Sequence, residues 1–159
     1  MVNKTHLRDQ LIAMIKADIE KQRQSFESAR QASIDAPGRM QSRYDTTGIE
    51  SAWVADGLAR ALREKESNLK CLEAFHWAES NTYVSIGSIV KILSSDSPAP
   101  EYFFVIPVLS GCELYENGLT ITTLSPETPL GRVLIGKKAG EKIEVTFPMH
   151  RIITVEELI

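Results

Sequence analysis

Two stretches in the first half of the chain carry apolar or small residues at steps of three and four, which keep a stripe on one face of a helix. The first stretch, from about Thr5 to Ser33, contains no proline or glycine, and its stripe is Leu11, Ile15, Ile19, Phe26, Ala29 and Ser33, with the polar Gln22 at the step between Ile19 and Phe26. The second stripe is Leu58, Leu62, Leu69 and Leu72, with Lys65 at a step where an apolar residue is expected. These two polar residues are expected to loosen the middle of the seam. Both stripes are narrow, and at 1.5 Å per residue the first helix would be about 40 Å long. The pattern therefore predicts that the helices pair as an antiparallel coiled coil, with a globular helical bundle as the alternative.

The segment between these helices is longer than a minimal helix–helix turn, and long loops of this kind are often functional. Pro37-Gly38 ends the first helix, and Thr47 followed by Glu50 has the spacing of a capping box that starts the second. The tip of the predicted hairpin therefore covers residues 35–50, approximately.

The second half of the chain has the pattern of strands and turns. Residues Tyr83–Leu93 predict a strand with a bulge at Gly87, and they are followed by a loop at Ser94–Pro100 and a buried strand at Tyr102–Leu109. A hairpin turn at Glu116-Asn117-Gly118 leads into a strand at Leu119–Leu124. A short helix at Leu130–Gly136 and two strands, Lys142–Phe147 and Ile152–Val155, complete the set. The sequence thus predicts an α+β chain, with a helical hairpin over residues 1–80 and a small β-rich domain over 81–159.

Composition and charge exclude several classes of function. The chain has 18 basic and 21 acidic residues, which argues against direct binding of duplex DNA and favours a protein partner. The longest apolar run, Tyr102–Leu109, is far shorter than the roughly 20 residues of a membrane span. No signal peptide is visible, and Cys71 and Cys112 lack metal-type spacing, so we expect a cytoplasmic protein with free thiols and no tightly bound cofactor.

Two segments resemble a known family. Residues 128–143 are Thr-Pro-Leu-Gly-Arg-Val-Leu-Ile-Gly-Lys-Lys-Ala-Gly-Glu-Lys-Ile. This segment resembles the signature of the C-terminal domain of the bacterial Gre transcript-cleavage factors, Ser-Pro-x-Gly-x-Ala-Leu-x-Gly-Lys-Lys-x-Gly-Asp, from which it departs at Thr128, Val133 and Glu141. Residues 43–50, Arg-Tyr-Asp-Thr-Thr-Gly-Ile-Glu, are similar to the tip of a Gre-like subgroup.

The resemblance implies a fold, a partner and a set of site residues. Gre factors carry a helical hairpin followed by an FKBP-like domain, which docks on the rim of the secondary channel of bacterial RNA polymerase. Two carboxylates at the hairpin tip help the polymerase hold a second Mg2+ ion and cleave backtracked RNA. By this resemblance, Asp45 and Glu50 are candidate catalytic and Mg2+-binding residues within the polymerase complex, and RNA is contacted only inside that complex. The candidate partner-binding residues are Pro129, Leu130, Gly131, Arg39 and Arg43.

The activity stays open between three alternatives. Cleavage factors space their tip acids as Asp-x-x-Glu, whereas four residues separate Asp45 from Glu50, so both acids could serve the helix N-terminus instead. The chain would then be a non-catalytic binder of the secondary channel. In either case it is not itself an enzyme, but at most a cofactor for the polymerase's own cleavage. The third alternative is an FKBP-like prolyl isomerase or chaperone, although aromatic residues in predicted strands are usually core residues. The oligomeric state is not predicted.

Overall fold

The computed structural model describes residues 2–36, 46–77, 82–146 and 150–159. Two long helices, α1 (Lys4–Asp35) and α2 (Thr47–Ala74), precede a β-rich region. The chain divides into two compact units, a helical unit over Ile12–Lys70 and a sheet unit that combines Met1–Leu11 with Cys71–Ile159. The start of α1 and the end of α2 therefore belong to the sheet unit. None of the helices in the described part of the chain combines the length and apolarity that a membrane crossing requires.

In the helical unit, α1 and α2 form an antiparallel hairpin, as the two stripes predict. Early residues of α1 meet late residues of α2, since Lys65 pairs with Asp18, whereas Ser33 Oγ donates to the carbonyl oxygen of Gly48 at 3.0 Å near the tip. The stripe residues of α1 are buried or half-buried along this seam, and the buried Ala55 extends the stripe of α2 by one step towards the tip.

Two polar residues interrupt the seam, as the sequence indicates. Lys65 lies only a third exposed and reaches Asp18 at the edge of the seam. Gln22 is half-buried, and its Oε1 atom is buried without a hydrogen-bond partner among the described residues. Because a buried acceptor without a partner has lost its water, Gln22 costs the hairpin stability.

Over the ranges that the structure describes, the sheet unit has six strands and a short helix, which are β1 (Ile89–Ser94), β2 (Ser97–Val105), β3 (Glu113–Glu116), β4 (Leu119–Leu124), α3 (Pro129–Leu134), β5 (Lys142–Val145) and β6 (Arg151–Leu158). The strand order in the sheet is β3-β4-β2-β1-β6-β5. Strands β2 and β4 are parallel, and the four other pairings are antiparallel. The core includes aliphatic residues of β1, β2, β4, α3, β5 and β6. The predicted α+β class, with a helical hairpin and a β-rich domain, is confirmed.

The first strand begins later than the β-branched residues predict. Gly87 has a φ angle of 95° and lies in a turn closed by the Ser88 N–H donating to Ser85 O at 3.0 Å, so the predicted bulge is wrong. Val84, before this turn, makes two backbone hydrogen bonds outside the sheet: its N–H donates to Lys137 O at 2.7 Å, and its carbonyl accepts the N–H of Gly136 at 2.8 Å. The turn at Gly87 lies between these bonds and β1.

The loop predicted over Ser94–Pro100 is shorter than expected, because β2 already begins at Ser97. Pro98 and Pro100 are exposed and precede Tyr102, where pairing with β4 begins, so their missing N–H groups remove no bond to that strand. At the other end, β2 stops at Val105, two residues before Pro107. The Asn117-Gly118 hairpin turn is confirmed, with φ angles of 50° and 78° that suit this pair of residues.

The first turns of α1 are bonded to the edge strand β3. The side-chain amide of Gln10 makes two hydrogen bonds to the backbone of Tyr115, donating from Nε2 to its carbonyl at 2.9 Å and accepting its N–H at 3.3 Å. His6 pairs through Nδ1 with the buried carboxylate of Glu116. Gln10 thus supplies the bonds that a further strand would make, which protects an otherwise open sheet edge.

Candidate functional site

The start of α2 forms one side of the hairpin tip, and it is capped by Thr46. The carbonyl of Thr46 accepts the N–H groups of Ile49 and Glu50, both at 2.9 Å, and its hydroxyl donates to Glu50 Oε1 at 2.6 Å. The helix already includes Thr47, so the predicted capping box, with Thr47 as the cap, is not the arrangement observed. Glu50 instead accepts the hydroxyl of Thr46, four residues earlier, and this bond holds its carboxylate at the start of α2.

Close packing between the end of α1 and the start of α2 fixes the position of Glu50 along the hairpin. A Cβ atom on Gly48 would lie 3.1 Å from the Cβ of Ala36, so the end of α1 and the start of α2 approach more closely than most side chains allow. Glu50 itself is exposed. The other predicted tip residues, Asp45, Arg39 and Arg43, lie outside the described residues, so the spacing between the Asp45 and Glu50 carboxylates stays a prediction.

A second site is the turn that leads from β4 into α3. The carbonyl of Ser125 accepts two bonds from Thr128, from its hydroxyl at 2.7 Å and its N–H at 3.1 Å. The Thr128 hydroxyl in turn accepts the N–H of Gly131 at 3.0 Å, as an N-cap side chain does. A Cβ atom on Gly131 would lie only 2.1 Å from Ser125 O, so the turn depends on glycine at this position.

The three candidate docking residues lie at different depths in this turn. Pro129 is exposed, Leu130 is half-buried and packs against the sheet core, and Gly131 is buried. Pro129 therefore presents its ring to solvent, while Leu130 and Gly131 hold the turn in place. Ser125, which anchors the turn through its carbonyl, was not among the sequence candidates, because a backbone acceptor has no signature in residue type.

The basic pair of the signature lies between two glycines that have positive φ angles, 80° at Gly136 and 88° at Gly140. The N–H of Lys138 donates to Glu141 Oε1 at 2.9 Å, and Lys137 Nζ lies 3.4 Å from Glu141 Oε2. The backbone hydrogen bond, assisted by both lysine charges, lowers the pKa of Glu141. The acid at this position of the signature therefore closes the turn that displays the two lysines.

Within the ranges that the structure describes, no three His, Cys, Asp or Glu side chains gather in a way that could hold a metal ion. A lone carboxylate such as Glu50 is a weak ligand for Mg2+, which is usually bound by one or two carboxylates together with water and substrate phosphates. Any metal site that uses Glu50 would thus have to be completed by other groups.

Comparison with known proteins gives a consistent family match. The family model described as transcription elongation factor, GreA/GreB, C-term matches residues 79–158. The transcription elongation factor GreA of Acetivibrio thermocellus is 30% identical over 129 residues, which cover 80% of this chain and 75% of that protein.

Two solved structures show weaker likeness. The GreA factor homolog 1 of Thermus thermophilus has 17% identity and a TM-score of 0.39, with 93% of this chain and 94% of that chain covered. A GreA/GreB protein from Nitrosomonas europaea also has 17% identity, with a TM-score of 0.35 and coverage of 67% of this chain and 92% of that chain. At these TM-scores neither structure supports an inference beyond the sequence match.

Proposed function

Because the chain belongs to the GreA/GreB family of transcription elongation factors, we propose that it binds bacterial RNA polymerase and modulates elongation from the secondary channel. In this proposal the helical hairpin enters the channel and brings its tip to the polymerase active centre. The observation that supports it most directly is the exposed carboxylate of Glu50, which Thr46 and the close helix packing at Gly48 hold at the tip.

The tip would act by adding carboxylate oxygens to a metal site that the polymerase completes. Mg2+ prefers oxygen ligands in octahedral geometry, and a bound Mg2+ ion can activate water for attack on a phosphodiester. Glu50 and Asp45 would supply two of these oxygens, and Arg39 and Arg43 would contact RNA phosphates or polymerase carboxylates. The Thr46 hydroxyl orients Glu50 by occupying Oε1. The chain would then be a cofactor for the polymerase's own cleavage of backtracked RNA.

The turn around Pro129 would supply the contact with the channel rim. Its ring is exposed, and the bonds between Ser125, Thr128 and Gly131 hold it in one conformation, so little conformational entropy is lost on docking. We assign the direct contact to Pro129, and a supporting role to Leu130 and Gly131.

A second candidate function is binding to the channel without stimulating cleavage. The position of Glu50 in the first turn of α2 and its hydrogen bond with Thr46 favour it, because both give the acid a structural role at the helix N-terminus without catalysis. Both candidates predict polymerase binding, and they differ only in the chemistry at the tip.

A cleavage assay on a stalled, backtracked polymerase complex with end-labelled RNA and Mg2+ separates the two. If the tip acts in cleavage, wild-type protein shortens the RNA faster than polymerase alone, while Glu50→Gln and Asp45→Asn lose this effect and still bind. Glu64→Gln, which changes an exposed acid further along α2, should cleave as wild type does. Binding without cleavage in every variant would support the second candidate. Absence of polymerase binding by the wild-type chain would refute both.

The docking assignment needs a variant that leaves the sheet core intact. Leu130→Asp would place a charge against that core, so loss of binding by this variant would not identify a contact. Pro129→Ser changes an exposed ring, and we expect it to weaken polymerase binding in a pull-down while thermal unfolding stays unchanged. Unaltered affinity in Pro129→Ser would contradict the assignment.

A further inference from the structure

One polar residue of the α1 stripe, Ser33, has its hydrogen-bond partner on the other helix of the hairpin. Its Oγ atom donates to the carbonyl oxygen of Gly48 at 3.0 Å, across the seam and within the first turn of α2. Both residues are half-buried and belong to the helical unit. An alanine at position 33 would fill nearly the same space without making this bond, so apolar packing alone does not explain the serine.

A second serine of α1 shows the usual behaviour of this side chain in a helix. Ser25 is exposed, and its Oγ atom donates to the carbonyl oxygen of Lys21, one turn earlier in the same helix, at 3.1 Å. Serine hydroxyls inside helices commonly bond back in this way. The hydroxyl of Ser33 bonds to α2 instead, so its hydrogen bond contributes to the pairing of the two helices.

The two helix backbones approach each other closely at this point because Gly48 has no side chain. A Cβ atom on Gly48 would lie 3.1 Å from the Cβ of Ala36 and 3.7 Å from the carbonyl oxygen of Ser33. The first distance is shorter than most Cβ contacts in proteins. The glycine therefore lets the start of α2 stand close enough to α1 for the hydroxyl of Ser33 to reach its carbonyl.

The bond between Ser33 and Gly48 is the polar contact between the helices that lies nearest to the tip in the described part of the hairpin. The next one joins Arg23 to Glu66 at 3.0 Å, and both of these side chains are exposed. Arg23 comes ten residues before Ser33 in α1, which is about 15 Å along the helix axis. Because exposed ion pairs contribute little to stability, the Arg23 pair is a weak constraint on the distant tip.

The residue that Ser33 bonds lies in the turn that carries Glu50. The carbonyl of Thr46 accepts the N–H groups of Ile49 and Glu50 at 2.9 Å each, and the Thr46 hydroxyl donates to Glu50 Oε1 at 2.6 Å. This turn is closed by its own hydrogen bonds, and Gly48 lies in the middle of it. A bond that fixes Gly48 relative to α1 therefore also fixes the carboxylate of Glu50 relative to α1.

We propose that Ser33 is a positioning residue for Glu50, because its bond to Gly48 sets where the first turn of α2 stands and where the carboxylate is presented. This inference rests on the proposed function, since the position of Glu50 affects cleavage only if the tip acts in the polymerase active centre. Reaction rates depend steeply on placement, and a displacement of about 1 Å can lower a rate by about a hundredfold. Ser33 acts through Glu50 and does not itself contact the reacting groups.

The cleavage assay on a backtracked polymerase complex tests this role with a matched pair of variants. Ser33→Ala should lower the cleavage rate at saturating protein by about three- to tenfold, the range expected for the loss of one neutral hydrogen bond. The protein concentration that gives half of the maximal rate should stay at the wild-type value, because the docking turn is unchanged. Ser25→Ala removes a hydroxyl from the same helix outside the seam and should cleave as wild type does. Ser33→Thr keeps a hydroxyl at the seam and should restore the rate.

Spectra of the free chain test the placement without polymerase. Ser33→Ala should move the ¹³C signal of the Gly48 carbonyl, which loses its donor, and the amide signal of Glu50. Ser25→Ala should move neither signal. Alanine favours helices more than serine does, so both variants should keep the circular dichroism of wild type.

The outcomes separate this inference from the proposed function. If wild type stimulates cleavage and Ser33→Ala does so equally fast, the positioning role is wrong while the proposed function stands. Ser33→Thr as slow as Ser33→Ala, or unchanged Gly48 and Glu50 signals in Ser33→Ala, would also overturn it. A wild-type chain that binds polymerase without stimulating cleavage refutes the catalytic role of Glu50 and, with it, any role of Ser33 in cleavage.

Discussion

The substitution Gly131→Ala would place a methyl group against the backbone of the turn that presents Pro129. The new Cβ would lie 2.1 Å from Ser125 O, 2.9 Å from Ser125 C and 2.9 Å from Thr128 Oγ1. Distances under 3.0 Å are essentially never seen for a Cβ atom, and two of these neighbours are backbone atoms that cannot rotate away. The turn must therefore move, and the bonds that Ser125 and Thr128 make would be distorted.

The size of the effect follows from two contributions. Overpacking of a buried site costs typically about 1–3 kcal/mol, and a backbone neighbour puts this case at the upper end. Loss of the Thr128 cap, which bonds the Gly131 N–H, costs about 1 kcal/mol more. We expect a total of about 3–4 kcal/mol, which is a large share of a usual stability of about 5–15 kcal/mol.

Urea unfolding followed by Trp77 fluorescence, in a Trp53→Phe background, reports on the sheet unit that contains Gly131. Gly57→Ala is the matched control, because no described atom lies within 4 Å of its added Cβ. Gly57 lies in the interior of α2 in the helical unit, so this change should stabilise that unit by about 0.5–1 kcal/mol, as measured by circular dichroism, and leave the Trp77 transition unchanged. If Gly131→Ala unfolds within about 0.5 kcal/mol of its background, below the smallest overpacking cost considered, the reasoning is refuted.

Three further predictions concern stability. Gln22→Leu removes a buried acceptor that has no partner among the described residues, so it should stabilise the hairpin by about 1 kcal/mol and raise its thermal midpoint. A lower midpoint, measured by circular dichroism, would contradict this. Gln10→Ala should speed hydrogen exchange at the Tyr115 amide at least severalfold, since it removes the acceptor at 3.3 Å; unchanged exchange would contradict the edge bond. Because the folded pKa of Glu141 is depressed, its contribution is present above the ordinary value of 4.5 and is lost as pH falls through the folded pKa. Glu141→Gln should therefore lower stability at neutral pH and flatten the acid side of the pH profile, whereas Glu127→Gln should do neither.

The long helices were predictable because their stripes repeat over many turns, so one misplaced residue does not hide the period. Lys65 and Gln22 stand at stripe positions and lie in the seam, as expected. Ala55 was missed because alanine is neither strongly apolar nor large, although it stands three residues before Leu58, where the stripe would continue. Its burial places one small side chain in the seam between Leu58 and the close approach at Gly48.

Five of the six strands in the described part of the chain were predictable in approximate place, whereas β3 and the ends of the other strands were not. Beta-branched residues before Gly87 predict a strand, but Val84 bonds to Gly136 and Lys137, which lie outside any strand of the sheet. Such pairing depends on where the chain returns, and local residue preference contains no information about it. The Asn117-Gly118 turn was predictable because it is local. The signature segment was likewise readable because its glycines and its acid all act within a few residues of each other.

The two roles considered for Glu50 are compatible, and their combination predicts how the free protein should respond to Mg2+. A carboxylate has two oxygens and about four acceptor sites, so the hydrogen bond from Thr46 to Oε1 orients the group and leaves capacity for a cation. However, Glu50 stands in the first turn of α2, where the helix dipole is positive and opposes a bound cation.

A single carboxylate at the positive end of the α2 dipole should bind Mg2+ weakly. A Mg2+ site that supports cleavage should therefore need Asp45 and ligands from the polymerase as well. We therefore expect no saturable shift of the Ile49 and Glu50 amide signals when the free chain is titrated with Mg2+ up to about 10 mM, a concentration at which a tight Mg2+ site would be saturated. The cleavage assay should nevertheless require Glu50. Saturation of those signals in the free protein would show that the tip builds a metal site without the polymerase, and the shared-site proposal would then be wrong.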